Sequence, residues 1–329
     1  MQAVPQWWRE RRWQSWILLP LSWIFGGVVR IRAWLYRAGV LKRYRASACV
    51  VVIGNITVGG NNKSPLVIAL ARALKARGVA CVVISRGYGG NQQGVAQVRT
   101  DSTAAQVGDE PVMIAEQSGV PVFVGRRRAQ VAAAVMAAYP ETQVIISDDG
   151  LQHYALARDI EWVVAATDFV FGNRFLLPAG PLREPVSRLS SVDALLSTKS
   201  INAPVSVRQI QFMSQAQGAV HLLSGENIAL QTLADAQPLY LISAIARPER
   251  LFASIAAQGG TLADYRFFPD HAPLAAEVAD FAADGIILMT AKDAVKITEW
   301  PKELRERVYV LDYTIQIPHE LIADIEERI

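Results

Sequence analysis

The chain has 329 residues, 51% of them hydrophobic and 19% charged, which excludes a disordered, collagen-like or disulfide-scaffold protein. At about 150 residues per domain it is long enough for two. The formal net charge of +3 conceals an asymmetry: residues 1–45 hold nine Lys/Arg against Glu10 alone, a net +8, and the remainder carries −5.

That basic segment also holds six of the eight tryptophans, Trp7, Trp8, Trp13, Trp16, Trp23 and Trp34. Residues 13–29 are uncharged but include Pro20 and Gly26-Gly27, and 17 residues lie at the short limit for a bilayer span. A secretory signal fits worse, because Arg30 and Arg32 stand where a small-residue cleavage site belongs. Tryptophan prefers the headgroup region, and each Lys/Arg adds about 1 kcal/mol of attraction to an anionic leaflet. The segment is therefore expected to be an interfacial or partly inserted helical membrane anchor. The competing readings are an ordinary helix whose Trp stripe packs on the body and a nucleic-acid arm, the latter poorly served by Ile17, Leu18, Leu19, Ile24 and Phe25.

From residue 48 onward, β-branched runs alternate with helical patterns. Strands are expected at 49–53, 80–85, 121–124 and 144–147, and helices at 65–77 and 126–138. Such alternation predicts an α/β fold, a parallel sheet with helices on both faces. A smaller C-terminal α/β unit follows: strands at 239–243, 265–268, 285–289 and 308–311, helices at 248–257 and from His319. Stretches 205–212 and 219–223 flank Gly218 and read as a two-stranded connection. The expected domains are 1–45 (anchor), 46–225 and 226–329. Cys49 and Cys81 lie in apolar runs with no metal-type spacing, and read as reduced core thiols of a cytosolic protein.

Chemistry first shows after the 49–53 strand. Gly54, Thr57, Gly59-Gly60, Asn61-Asn62, Lys63-Ser64 and Pro65 give the strand, glycine loop, Lys-Ser, helix order of a phosphate-binding loop. Backbone N–H groups and the helix N-terminus would hold phosphate oxygens, Lys63 would reach the β/γ-phosphates, and Ser64 could ligate Mg²⁺. The strict pattern fails, since Thr57 and Asn62 occupy its glycine positions. The strand at 144–147 ends in Asp148-Asp149, where a nucleotide-binding sheet places its Mg²⁺-ordering acid. Arg86 and Tyr88 follow the second strand. Asp109-Glu110 opens a helix, as metal ligand, general base or simple N-cap. His271 belongs to the second unit and would face the first only across a cleft.

Together these residues resemble the tetraacyldisaccharide 4′-kinase family of lipid A biosynthesis. The likeness spans nearly the whole chain. It rests on the ordered set from Gly54 to Pro65, Ser85-Arg86-Gly87-Tyr88-Gly89, Gly108-Asp109-Glu110-Pro111, Asp148-Asp149-Gly150-Leu151-Gln152-His153, the run from Leu177 to Pro185, Phe268-x-Asp270-His271 and Thr290-x-Lys292-Asp293. The family's usual glycine before the loop lysine is Asn62 here, and its frequent threonine is Ser64. The resemblance implies a P-loop NTPase-like fold with ATP and Mg²⁺ as cofactors. The implied reaction phosphorylates the 4′-hydroxyl of a tetraacylated glucosamine disaccharide 1-phosphate at the cytoplasmic face of a Gram-negative inner membrane. Residues 57 and 59–65 would bind the nucleotide, with Ser64, Glu110, Asp148 and Asp149 near the metal. Asp109 paired with His271 would help deprotonate the sugar hydroxyl, with Lys63 on the transferred phosphate, and Arg86, Tyr88, Gln152 and Arg183 would contact the acceptor. The partners implied are the acylated lipid and the inner-membrane phospholipid surface, with no nucleic acid and no stable protein partner. The contrasting reading is a membrane-docked nucleotide switch, against which no Asn-Lys-x-Asp guanine-reading motif is found.

Overall fold

The structure is a computed structural model that describes residues 5–58, 63–165, 170–245, 248–282 and 284–329. Eight strands form the first sheet: β1 Cys49–Gly54, β2 Cys81–Ser85, β3 Ala96–Val98, β4 Val122–Val124, β5 Val144–Asp148, β6 Ile160–Val164, β7 Ala194–Ser197 and β8 Gln209–Gln211. Their order is β3-β4-β2-β5-β1-β6-β7-β8, parallel except for the edge strand β3. The central strands β1, β2 and β5 are buried along their whole length. Continuous Val/Ile runs are what a sheet covered on both faces requires. Because β1 pairs with β5 in the register Ile53↔Asp148, the loop leaving β1 and the carboxylates ending β5 emerge side by side.

The helix after that loop, Lys63–Ala76, buries Leu66, Val67, Leu70, Ala71 and Leu74 against the sheet. Pro65 sits in its first turn, where a missing N–H costs nothing, and Gly78 at φ +76° follows its end.

A second sheet contains β9 Met213–His221, β10 Asn227–Ile228, β11 Leu239–Ser243, β12 Leu262–Phe267, β13 Ile286–Met289 and β14 Val308–Gln316, in the order β10-β9-β14-β13-β11-β12. The expected two-stranded connection does not form. β8 pairs with β7 in the first sheet, while β9 pairs with β14 in the second. The chain thus changes sheet at Phe212, upstream of Glu226. β9 also pairs with the following β10, so each strand finds its partners elsewhere than in the other. The last helix, His319–Glu326, follows the second sheet in sequence yet buries Leu321, Ile322 and Ile325 in the same core as β1 and the Lys63–Ala76 helix.

The N-terminal helix runs unbroken from Trp13 to Arg37, through Pro20 and both glycines. Its buried residues are Ser15, Ser22 and Gly26, whereas Trp13, Trp16, Ile17, Leu21, Trp23, Ile24, Val28, Ile31 and Trp34 are exposed. That is the reverse of an ordinary surface helix, which turns its apolar stripe inward. The docking face is built for close approach: a Cβ on Gly26 would lie 2.7 Å from Leu176 Cδ1. Among the described residues no helix is long and apolar enough to cross a membrane.

Candidate functional site

The C-terminal ends of β1, β2 and β5 open onto a cleft of about 2110 Å³ whose far wall comes from the second sheet. Lys63, Ser64, Arg86, Tyr88, Glu110, Asp148, Asp149, Gln152, Arg183, His271 and Lys292 all line it, so residues far apart in sequence face one space. Gly59, Gly60, Asn61 and Asn62 lie outside the described residues. Thr57 is buried and bridges to Leu182, and Pro65 lines the cleft beside Ser64.

The two carboxylates ending β5 differ sharply. Asp149 lies 3.4 Å from Lys63 Nζ and accepts hydrogen bonds from Arg183 Nη1 at 2.9 and 3.1 Å. Burial would raise its carboxyl, but Lys63 and Arg183 outweigh burial and hold it well below the usual carboxylate range. Asp148 is 2% exposed, and burial, then the neighbouring Glu110 carboxylate, push it up to about 7 against the pull of Lys63. Its Oδ2 accepts from Ser85 Oγ at 3.3 Å, while its Oδ1 is buried with no hydrogen-bond partner among the described residues. A buried, under-satisfied carboxylate beside a second one is a place where a cation would relieve both. Among the described residues no three His, Cys, Asp or Glu side chains converge as a metal cage. The donor set suits a hard cation completed by phosphate oxygens, as Mg²⁺ usually is.

On the same side of the cleft, Asp109 opens the helix Asp109–Ser118, which packs on the first sheet, and is 5% exposed. His271 Nδ1 lies 3.0 and 2.9 Å from its two carboxylate oxygens. Burial would raise Asp109, but the His271 hydrogen bond together with Lys292 and Lys296 outweighs burial and lowers it. His271 adopts φ +63° and Asp149 φ +46°; Arg174 is the remaining non-glycine residue with positive φ among those described. Strained backbone of this kind collects where side chains must be aimed. The Tyr88 ring sits 5.3 Å from the imidazole, centroid to centroid.

Of the acceptor-side candidates, Arg86 and Tyr88 are exposed at the cleft, whereas Gln152 and Arg183 are tied into the protein. Gln152 Nε2 donates to Asn55 O at 3.1 Å and to Glu184 Oε1 at 2.9 Å. Glu184 also accepts a short hydrogen bond from the Tyr154 hydroxyl. His153, adjacent to them, is pushed down to about 4 by burial and by Arg128 and Arg86, and is therefore neutral.

Sequence reasoning missed three groups. Arg128 is fully buried and donates to Gly125 O at 2.8 Å and Asp148 O at 2.9 Å, fixing the end of β5. Lys296 Nζ lies 3.8 Å from Asp109 Oδ2 and 3.2 Å from Asp293. Lys292 stands in a recognised motif but had been given no role; it lies 3.4 Å from Glu110 and 3.0 Å from Asp270. Lys292 and Lys296 lie four apart, which at helical spacing puts them on one face, and that was the available signal.

A family model described as tetraacyldisaccharide-1-P 4′-kinase matches residues 14–329. The chain is 44% identical to the tetraacyldisaccharide 4′-kinase of Dichelobacter nodosus, over 98% of this chain and 96% of that one. It is 41% identical to that of Azoarcus sp., over 90% and 87%. The crystal structure of LpxK from Aquifex aeolicus in complex with ATP matches with a TM-score of 0.78 at 24% identity, over 95% of this chain and 98% of the other. At that identity the likeness speaks for the fold alone.

Proposed function

The chain belongs to the tetraacyldisaccharide-1-P 4′-kinase family, and from that premise we propose that it transfers the γ-phosphoryl group of ATP to the 4′-hydroxyl of a tetraacylated glucosamine disaccharide 1-phosphate. One observation carries this reading best: Phe25, Val28, Val29 and Arg32 of the apolar-faced N-terminal helix wall the same cleft as Lys63, Asp148 and His271. An acylated sugar resting on a lipid surface could then keep its chains beside the helix while its hydroxyl enters the cleft. The exposed Trp, Ile and Leu side chains, in a segment of net +8, support docking on the cytoplasmic face of an anionic inner membrane.

Lys63, at the start of its helix, would hold the β/γ-phosphates and neutralise charge that develops on them. Asp109, held below the usual carboxylate range and so ionised at neutral pH, would accept the hydroxyl proton. His271 holds that carboxylate by donating from Nδ1. Ser64 and Asp148 would hold Mg²⁺, with the Glu110 carboxylate among the groups that push Asp148 up. The metal, when bound, would neutralise phosphate charge.

The test is ATP turnover by the purified full chain in detergent, with and without a lipid-linked disaccharide 1-phosphate. Turnover dependent on the acceptor, with phosphate appearing at the 4′ position, is the expected result. Hydrolysis indifferent to the acceptor would favour the nucleotide-switch reading instead.

A further inference from the structure

Phe25, Val28, Val29 and Arg32 stand at i, i+3, i+4 and i+7 of the Trp13–Arg37 helix, so one helical face turns apolar side chains and then a cation into the cleft. Guanidinium groups lie over the Tyr154 ring from Arg158 at 5.2 Å, Arg32 at 5.9 Å and Arg188 at 6.0 Å, measured to its centroid. Two of the three are neutralised. Arg158 and Arg188 both bond Glu161, at 2.6 and 2.5 Å, and Arg188 also lies 3.3 Å from Glu184. Among the described residues Arg32 pairs with no carboxylate; it lies instead over Tyr36 as well, again at 5.9 Å. Tyr36 and Tyr154 stack with centroids 6.1 Å apart, and the Tyr154 hydroxyl donates to Glu184, so the platform under Arg32 is tied to the body. Aromatic faces hold a guanidinium while leaving its N–H edge free. The surrounding groups leave that edge unopposed. Glu184 is 2% exposed, and its charge is taken up by Tyr154, Gln152 and Arg188. His153, in the same wall, is held neutral by burial and then by Arg128 and Arg86, with a smaller push from Arg32 itself. Arg86 also lines the cleft, but it follows β2 and acts on the buried Arg128 that caps β5, at the end where the phosphoryl group would be transferred.

We propose that Arg32 is a specificity-determining residue that binds the phosphate monoester at position 1 of the acceptor, the end of the disaccharide away from the hydroxyl that is phosphorylated. The inference rests on the phosphoryl-transfer reading above. On that reading the acceptor is an amphiphile: its acyl chains need an apolar face, and the dianion beside them needs a cation with no other partner. The helix offers both, in that order, within about two turns. A guanidinium meets a phosphate with two parallel N–H···O bonds, a geometry an ammonium lacks. Held by Arg32 at the helix wall, the 1-phosphate would stay out of the apolar layer and leave the far sugar to reach Asp109 and His271. The Tyr36–Tyr154 stack places the guanidinium before the acceptor arrives, so less side-chain freedom is lost on binding. A phospholipid headgroup offers the same phosphate chemistry with a single charge; the place of Arg32 in the cleft wall favours the acceptor.

The test uses the full-length protein in nonionic detergent free of phospholipid, with the tetraacylated disaccharide offered with and without its 1-phosphate. The wild type is expected to prefer the phosphorylated form by about 10- to 100-fold in kcat/KM, the range for a charge-assisted contact. Arg32→Gln should level the two acceptors by losing rate on the phosphorylated one, the change appearing in KM for the acceptor while KM for ATP moves by less than about twofold. Arg32→Lys should keep only part of the preference. Arg37→Gln, at an exposed arginine of the same helix outside the cleft, should keep all of it. A wild type without preference, a preference that survives in Arg32→Gln, or equal losses on both acceptors would overturn the proposal. So would an Arg32→Gln variant that loses only binding to anionic phospholipid vesicles, since Arg32 would then serve a headgroup. Equilibrium binding of the two disaccharides to the same proteins separates this proposal from the kinase reading. Tighter binding of the 1-phosphate form by the wild type but not by Arg32→Gln, with no phosphate transferred, would keep the phosphate site and discard the kinase.

Discussion

Ser22 is clasped from both sides by the loop it faces: its Oγ donates to Leu176 O at 2.8 Å and accepts from Ala179 N at 2.9 Å. Together with Ser15 and Gly26 it forms a small, polar docking face, and the large apolar side chains are left outside. Ser22→Ala should therefore destabilise the protein by about 1–3 kcal/mol, the usual cost of stranding a buried donor. The Ala179 amide carries that penalty, because the Leu176 carbonyl still accepts from Gly180 N at 2.9 Å. Chemical denaturation of the variant in detergent checks the number; a change within 0.3 or so kcal/mol would mean that water replaces the hydroxyl.

The outward stripe makes the opposite prediction. Ile17, Ile24 and Ile31 are 66%, 66% and 60% exposed. They recur every seven residues, on one side of the helix. Replacing all three by serine should sharply weaken binding to vesicles containing anionic phospholipid while leaving unfolding of the body unchanged. High salt should release only part of the intact protein, because it screens Arg contacts but not buried apolar area. Complete release by salt would reduce the helix to an electrostatic tether.

Lys63→Ala should cost about 10³-fold in turnover, since phosphoryl transfer depends on positioning and charge neutralisation at the transferred group. The fold should survive, as Asp149 keeps its two hydrogen bonds from Arg183. A folded variant with near-normal turnover would detach the loop from the nucleotide.

The adjacent carboxylates should answer pH in separate windows. Asp148, raised to about 7, binds its proton more tightly folded than unfolded, so its contribution to stability falls as pH rises from about 4 to 7. Asp149 is lowered, so its contribution is present above the ordinary carboxylate value and is lost only as pH falls below it. Stability measured without divalent metal should thus gain in Asp148→Asn at pH 8, with a flatter slope between pH 4 and 7. Asp149→Asn should lose stability at the same pH. The reverse pattern would mean that the paired carboxylate had been misassigned.

How much of this was open to sequence depends on the range of the forces involved. β1, the Lys63–Ala76 helix and β5 were legible because β-branched runs, Pro65 and Gly78 act locally. The paired strands expected around Gly218 were not, because their partners lie in two sheets and the better partner of β9 is β14, about 90 residues on. Composition set the Trp-rich segment apart, but the face by which it docks was not legible, since that depends on Leu176 and Ala179 meeting Ser22 and Gly26 from the far side of the chain. Within the site, Asp109 and His271 were nameable as residue types and Lys292 as part of a motif, but Arg128 became visible only once strand ends had been brought together. A lysine or arginine reads as surface in one dimension.

The last prediction tests whether Asp109 and His271 act as one unit. They come from opposite walls of the cleft, 162 residues apart, and meet at 2.9 Å. If the imidazole works by holding the carboxylate, either loss alone disables the same step. Asp109→Asn and His271→Ala should each lower kcat by about 10²- to 10⁴-fold, with much smaller changes in KM for ATP. The double variant should cost little beyond the worse single one, because residues acting together are not additive. The pH profile adds a separate check. Asp109 is held below its ordinary value, so it stays ionised throughout the neutral range, and its stabilising contribution likewise disappears only as pH falls below that value. Loss of kcat near pH 7 in the wild type must then come from another group, and it should persist in whatever residual activity Asp109→Asn retains. Losses that simply multiply in the double variant would show that the two residues work independently and that the bond between them is structural.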